Sequence, residues 1–238
     1  MFAAMRLYFI RHAQSANNAL WDNTGSDAGR SEDPPLTPLG LRQASALGDA
    51  LARVSDPLEG HGSAALTHLY CSPMTRAVQT ALEVARGTGL TPQVWEDWHE
   101  SGGIWLEKDG VRVGLEGQNR TYFQQRFPSV ALPKDFAPQG WWSRAYENDT
   151  GLFPRAKRVW AELLARHADT NDRVAIVSHG HFYAFVVAVA LGLPNLKGVF
   201  FVLNNTGITR LDNRENLHQT TNLIYANRLE HLEPTLVT

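Results

Sequence analysis

The sequence predicts an α/β protein: a mainly parallel sheet covered by helices on both faces, interrupted by one long insert. Three observations carry that expectation. Short β-rich apolar runs alternate with segments of helical period. Three of those runs end abruptly in polar or basic residues. Between residues 96 and 151 the periodicity lapses, and Trp95, Trp98, Trp105, Trp141 and Trp142 gather in or beside that stretch. With 238 residues, 43% hydrophobic and 19% charged, the chain can bury a sizeable core as a single domain over residues 1–238.

The elements follow in order. Residues 6–10 read as a strand, and residues 21–35, rich in Asp, Gly, Ser, Asn and Pro, as a loop. Thr37 then caps a helix with Pro38 in its first turn, and Leu41, Ala44, Leu47, Leu51 and Val54 mark its apolar face. Residues 56–63 break the pattern before a short strand at 67–71. Ser72-Pro73 repeats the cap-plus-proline start, and Ala77, Thr80, Ala81, Val84 and Ala85 form the next helix face, closed by residues 87–90. Residues 91–94 read as a further strand. The insert, about 104–150, is expected to be partly helical and to cover the functional face. Order resumes with a helix over 149–167, with Ala156, Val159, Trp160, Leu163 and Leu164 on one face. A buried strand at 173–177, a sharp turn at 178–181 and an apolar helix at 182–191 come next. Residues 200–203 and 208–211 flank Asn204–Gly207 as a hairpin, and 222–226 form the last strand.

Composition narrows the partners. A formal net charge of -2 offers no general attraction for nucleic acid or an anionic membrane. A single cysteine, Cys71, excludes an intramolecular disulfide and fits a reducing cytoplasm. Arg6 and Arg11 precede any apolar stretch of signal-peptide length, so none is expected. The apolar run near 182–193 is too short to span a bilayer.

The chemistry sits at the strand ends. "LYFIRHAQSANN" delivers Arg11 and His12; the strand at 67–71 delivers Ser72 and then Arg76; the strand at 173–177 delivers Ser178, His179 and Gly180. Open α/β sheets bind ligands beyond the carboxyl ends of their strands. If the three strands are neighbours, two imidazoles and two guanidiniums surround one point, and helix N-termini add N–H donors. Guanidinium forks match phosphate oxygens and stay charged. A neutral imidazole can attack phosphorus, and a protonated carboxyl can serve the leaving alkoxide. Taken singly, each residue has a plainer role: Arg11 as a surface ion pair, His12 or His179 as a hydrogen-bonded core histidine, Arg76 as a solvated side chain. Their combination at three strand ends favours the phosphate reading.

"RHAQS" at 11–15, "PLTPLG" at 35–40, "SPMTRAVQTA" at 72–81 and "SHGH" at 178–181 resemble the histidine phosphatase superfamily, in its phosphoglycerate-mutase-like branch. The likeness reaches most of the chain outside residues 107–148. It implies a three-layer α/β/α sandwich, with His12 as the phosphorylated nucleophile and Arg11, Arg76 and His179 around the phosphoryl group. Asn18 falls on the family's polar position after the first motif, and the Gly180 backbone can add a donor. Ser15 serves either as a phosphate contact or as a helix cap. The resemblance also calls for an acid before a glycine. Glu100 fits best among Glu96, Asp97 and Glu100, because Gly102-Gly103 follow it and tryptophans flank it to desolvate a carboxyl.

The implied activity is phosphomonoester hydrolysis of a small phosphorylated metabolite, with mutase-type phosphoryl transfer as the alternative. The mutase first motif is altered at Gln14 and Asn17, and Ser101-Gly102-Gly103-Ile104 stands where mutases carry an arginine. No metal and no cofactor are expected. The partner is a small phosphate ester, and a homodimer is compatible with the sequence. In the insert, Arg120, Arg126 and Arg144 could meet a second anion, and Tyr122, Phe123, Trp141 and Trp142 could either stack on a leaving group or pack the insert onto the sheet. Two rivals are disfavoured: a metallohydrolase using His179-x-His181 with His12 and Glu100, which a chelator would silence but whose cation Arg11 would repel, and a non-catalytic phosphate-binding protein, which would bind without turnover but against which the joint presence of Arg11, His12, Arg76, Glu100 and His179 argues.

Overall fold

The first strand, β1 (Ala4–Arg11), is apolar on both faces: Met5, Leu7 and Phe9 point into one core, Tyr8 and Ile10 into the other. Such a strand can be satisfied only between two layers. The computed structural model describes residues 4–53, 65–214 and 220–238. After β1 come α1 (Ala16–Thr24), α2 (Pro38–Ala52), β2 (His68–Cys71), α3 (Thr75–Thr88) and β3 (Gln93–Val94). The insert contributes β4 (Trp105–Lys108), β5 (Val111–Gly114) and α4 (Arg120–Arg126). Then follow α5 (Asp149–His167), β6 (Arg173–Ser178), α6 (Gly180–Ala190), β7 (Ile208–Arg214) and β8 (Thr220–Arg228).

The main sheet has the order β3-β2-β6-β1-β7-β8. Its first four strands are parallel, and β7 and β8 add an antiparallel edge. Helices α5 and α6 cover one face; α2 and α3 cover the other, giving three layers. The insert shares the second core, where Phe123, Phe127, Phe136, Trp141 and Trp142 pack with Ile10, Leu69 and Val177.

Local chemistry explains the helix ends. Thr37 accepts from the Gly40 N–H with Pro38 in the first turn, as expected, and Gly89 ends α3 in the left-handed region. Several expectations need correction. Residues 21–24 are helical, because the Ser15–Asn18 capping box starts α1 ahead of the polar stretch. Leu41 is exposed, and Gln43 takes a buried place in α2 instead. Met74, not Ser72, is the N-cap of α3. Residues 200–203 form no strand; β7 pairs with β8, and the turn at 204–207 serves the functional site. Val54 and residues 56–63 lie outside the described residues. No helix among the described residues is long and apolar enough to cross a membrane.

Candidate active site

Sheet register builds the site. Arg11 stands level with Ser178 across β1 and β6, and Cys71 stands level with Val177 across β2 and β6. The next residues along each strand, His12, His179 and Ser72, therefore emerge side by side. The His12 N–H bonds the Ser178 carbonyl at 2.9 Å, and the Ser72 N–H bonds the Val177 carbonyl at 3.0 Å. The structure thus gathers Arg11, His12, Arg76 and His179, as the sequence predicts.

His12 is buried, and its two ring nitrogens have fixed roles. Nδ1 lies 2.7 Å from the Ala13 carbonyl, which can only accept, so Nδ1 carries the proton. Arg76 Nε donates to His12 Nε2 at 3.1 Å, so Nε2 carries the lone pair. Burial, then the charges of Arg76 and Arg11, hold His12 well below the usual histidine range, which keeps it neutral. His179 packs edge-on against it with ring centroids 5.0 Å apart. Its Nε2 meets Ser72 Oγ at 2.8 Å, while that hydroxyl accepts from the Met74 N–H at 3.2 Å. Where the serine gives its proton to Nε2, the ring proton lies on Nδ1, which is buried without a hydrogen-bond partner. Burial, then Arg76 and His12, push His179 down as well.

Arg11 lies along the start of α6: a Cβ on Gly180 would come within 3.2 Å of its Nε. Its NH1 donates to the Leu203 carbonyl at 2.6 Å, and its Nε is a second buried N–H without an acceptor. Arg76 is anchored by Asp33 at 3.9 Å; Asp33 also accepts from the Thr75 N–H and hydroxyl, and its carboxyl is raised by burial.

Glu100 faces the same ground. Its oxygens accept from the N–H groups of Phe182 at 2.9 Å and His181 at 3.2 Å, so it caps α6, which has no side-chain cap of its own. It is also the leading countercharge to Arg11 and acts on Arg76. The expected tryptophan setting differs. Trp98 lies in the core with Phe9 and Phe182, and Trp105 stacks with Arg30. Of the rival acids, Asp97 pairs with Arg158 at 2.8 Å, while Glu96 is half-buried with its carboxyl raised, first by burial. The loop before Glu100 is pinned by Arg155, whose NH1 donates to the carbonyls of Asp97 and His99, both at 2.8 Å. Ser178 Oγ holds the Trp98 carbonyl at 2.7 Å.

Ser15 caps α1. Asn18 Oδ1 accepts from the Ser15 N–H and hydroxyl, both at 3.0 Å, so the amide N–H₂ is the end of Asn18 that can meet an anion. Sequence reasoning missed Asn205, Thr206 and Asp33. Buried Asn205 donates to the His12 carbonyl at 2.8 Å and reaches Asn18 Oδ1 at 3.4 Å. Buried Thr206, with φ of 58°, donates its N–H to the Arg11 carbonyl at 3.1 Å; a β-branched residue there is strained. The Asn204–Gly207 turn signal was the clue, read as a hairpin.

The metal grouping is not assembled. His181 is exposed and lies 3.6 Å from Asp149, whereas His179 is buried. Among the described residues, the one cluster with metal-ligand spacing is His68, His167 and Asp172, at the other end of the parallel strands. Arg120 donates to the Pro133 and Lys134 carbonyls, and Arg126 is exposed at the end of α4. Phe123, Trp141 and Trp142 are buried packing residues, which settles them as core.

Known proteins resemble this chain in sequence and in fold. The family model of the histidine phosphatase superfamily (branch 1) matches residues 7–223. A Hydrogenobacter thermophilus protein named as a phosphoserine phosphatase is 26% identical over 228 residues, 95% of this chain and 97% of its own. A Proteus mirabilis protein named as a phosphoglycerate mutase is 25% identical over 208 residues, 87% and 85% of the two chains. An ecdysteroid-phosphate phosphatase of Drosophila melanogaster is 32% identical over 95 residues, 35% of this chain; the match spans only 12% of that protein. Among solved structures, a phosphoserine phosphatase from Entamoeba histolytica in complex with 3-phosphoglyceric acid superposes with a TM-score of 0.59 at 22% identity, over 96% of this chain and all of that one (100%).

Proposed function

Because the chain belongs to the histidine phosphatase superfamily, we propose that it hydrolyses small phosphomonoesters through a phosphohistidine formed on His12. One observation carries the reading: Arg11 Nε and His179 Nδ1, both buried without a hydrogen-bond partner, share the pocket of the imidazole whose Nε2 carries an electron pair turned toward Arg76. A phosphoryl group satisfies all three at once.

In the first step Nε2 attacks phosphorus, the ester P–O bond breaks, and Glu100 in its protonated form gives its proton to the departing alkoxide. In the second step ionised Glu100 takes a proton from water, the oxygen attacks phosphorus, and the P–N bond breaks. Arg11, Arg76, the His179 ring N–H, the Gly180 backbone and the Asn18 amide stabilise the charge on the phosphoryl oxygens, while Ser15 holds Asn18. Neither a metal nor a cofactor has a part in this scheme, and the expected setting is the cytoplasm. Relatives named as mutases support the alternative of transfer back to substrate. Ser101 weighs against it, because it follows Glu100 where the mutase run has its arginine.

The test is rapid quenching during turnover. Acid-labile phosphate is expected on His12, and His12→Ala is expected to lose several orders of magnitude in rate. Glu100→Gln is expected to slow alkyl phosphates far more than activated aryl phosphates. Product release without label on His12 would refute the mechanism.

A further inference from the structure

The amino ends of the parallel strands carry a cluster that the phosphate chemistry does not use. His68 begins β2 and stands level with Val174 of β6, His167 is the last residue of α5, and Asp172 lies just ahead of β6. Each offers one ligand atom, an imidazole nitrogen or a carboxylate oxygen, and the three atoms lie within 4.8 Å of one another. His167 Nδ1 meets Asp172 Oδ2 at 2.8 Å, and His68 Nδ1 stands 3.8 Å from Asp172 Oδ1. Ligand atoms bonded to one tetrahedral zinc ion at about 2.0–2.1 Å stand about 3.3 Å apart, a spacing between these two distances.

A histidine–aspartate hydrogen bond accounts for His167 alone. His68 is a second imidazole which that pair does not need, and packing sets its ring. It stacks on Tyr70 with ring planes 9° apart and meets the His167 ring edge-on at 4.6 Å. The surrounding groups accept the exchange of a proton for an ion. Tyr70 Oη lies 3.2 Å from His167 Nε2 and serves either tautomer, because a hydroxyl both donates and accepts. With Nδ1 on an ion, Nε2 carries the proton and donates it to Tyr70, the outer partner that a ligating histidine needs. The Thr67 hydroxyl, 2.9 Å from His68 Nδ1, has another acceptor in the Arg173 carbonyl at 3.3 Å, so that nitrogen can turn to an ion without stranding the hydroxyl. Helix α5 also ends here, and its last carbonyls favour a cation. The arginines next to the ligands in sequence are engaged elsewhere: Arg166 lies over Trp95 at 3.8 Å, and Arg173 Nε donates to the Ala65 carbonyl at 2.6 Å. The His167 side chain is 4% exposed, whereas those of His68 and Asp172 are 33% and 23% exposed, which leaves an ion a way in from solvent.

We propose that His68, His167 and Asp172 bind a divalent ion of the zinc class, with water completing its shell, and that the ion clasps the end of α5 and the start of β6 to β2. Two imidazoles and one carboxylate suit zinc, cobalt or nickel better than magnesium or calcium, which prefer oxygen. The phosphate pocket lies at the opposite ends of the same strands, so the ion adds stability and takes no part in phosphoryl chemistry.

The untagged full chain is stripped with a chelator, then titrated with zinc by calorimetry and with cobalt by visible absorption. One equivalent is expected to bind with a Kd of about 1–10 μM. Cobalt should give the d–d bands of a low-coordinate site with nitrogen ligands. The melting temperature should rise by about 5 °C at zinc a hundredfold above Kd. His68→Asn and Asp172→Asn should each weaken binding at least about thirtyfold, and Tyr70→Phe about tenfold. His12→Ala and His181→Asn should bind as the wild type does, which separates this site from the phosphate pocket and from the His181–Asp149 pair. Equal melting temperatures of the stripped variants show them folded. Should Asp172→Asn fail to fold, having also lost the His167 hydrogen bond, His68→Asn and the cobalt spectrum decide. No saturable equivalent below about 1 mM, unchanged affinity in His68→Asn, or loss of binding in His12→Ala overturns the proposal.

Discussion

At the scale of the residue, His12 is defined by what touches it. A cation on its nucleophilic nitrogen disfavours the imidazolium, so the acid limb of kcat/KM is expected below the ordinary histidine value of about 6.5. Arg76→Gln removes that cation; the limb should move to higher pH, with a rate loss of about 10²–10³ from the missing charge on the phosphoryl oxygens. Comparing both enzymes on one aryl phosphate cancels the substrate's own ionisation, and an unmoved limb would contradict the assignment. Arg11, His12, Arg76 and His179 were legible in the sequence because strand ends place them. Asn205, Thr206 and Asp33 were not: each reaches the site only through chain reversals whose register no local pattern encodes.

Among the elements, the insert matters most. Its return into α5 is locked by the Arg155–Glu147 pair, 2.6 Å apart, with Arg155 buried against the Phe182 ring. Arg155→Met should cost about 3 kcal/mol, read by urea unfolding, because it leaves Glu147 unpaired and frees two carbonyls before Glu100. Pairing it with Glu147→Leu should recover stability, while turnover of poor leaving groups stays depressed. If activity recovers fully too, the guanidinium does not position the acid. Helices α2, α3, α5 and α6 were readable from period and caps. The insert was not, because its aromatic residues meet one another and the sheet at long range with no local repeat. The hairpin β7–β8 was misplaced because Asn204–Gly207 carries turn chemistry spent on the site rather than on strand reversal.

At the scale of the whole molecule, five imidazoles among the described residues, His12, His99, His167, His179 and His231, are each pushed down, first by burial, His231 to about 4. Above about pH 6.5 both folded and unfolded forms hold them neutral, so they contribute nothing there. Below that value the unfolded chain gains protons the folded one refuses, and stability falls until the depressed values are reached. Asp33 and Glu96, raised by burial, oppose this but are fewer. The melting temperature should therefore fall between pH 7.5 and 5, and inorganic phosphate should offset part of the fall. A flat profile would refute the balance. The sequence disclosed the parallel sheet and the adjacency of its three working ends, since a shared ligand demands both.

Cys71 ends β2 wholly enclosed beneath Ser72, and burial drives its thiol up to about 12. A sulfur so sheltered yields almost no thiolate at neutral pH. Peroxide or iodoacetamide should therefore leave turnover untouched, so oxidative stress that silences thiol-dependent phosphatases would pass this protein by.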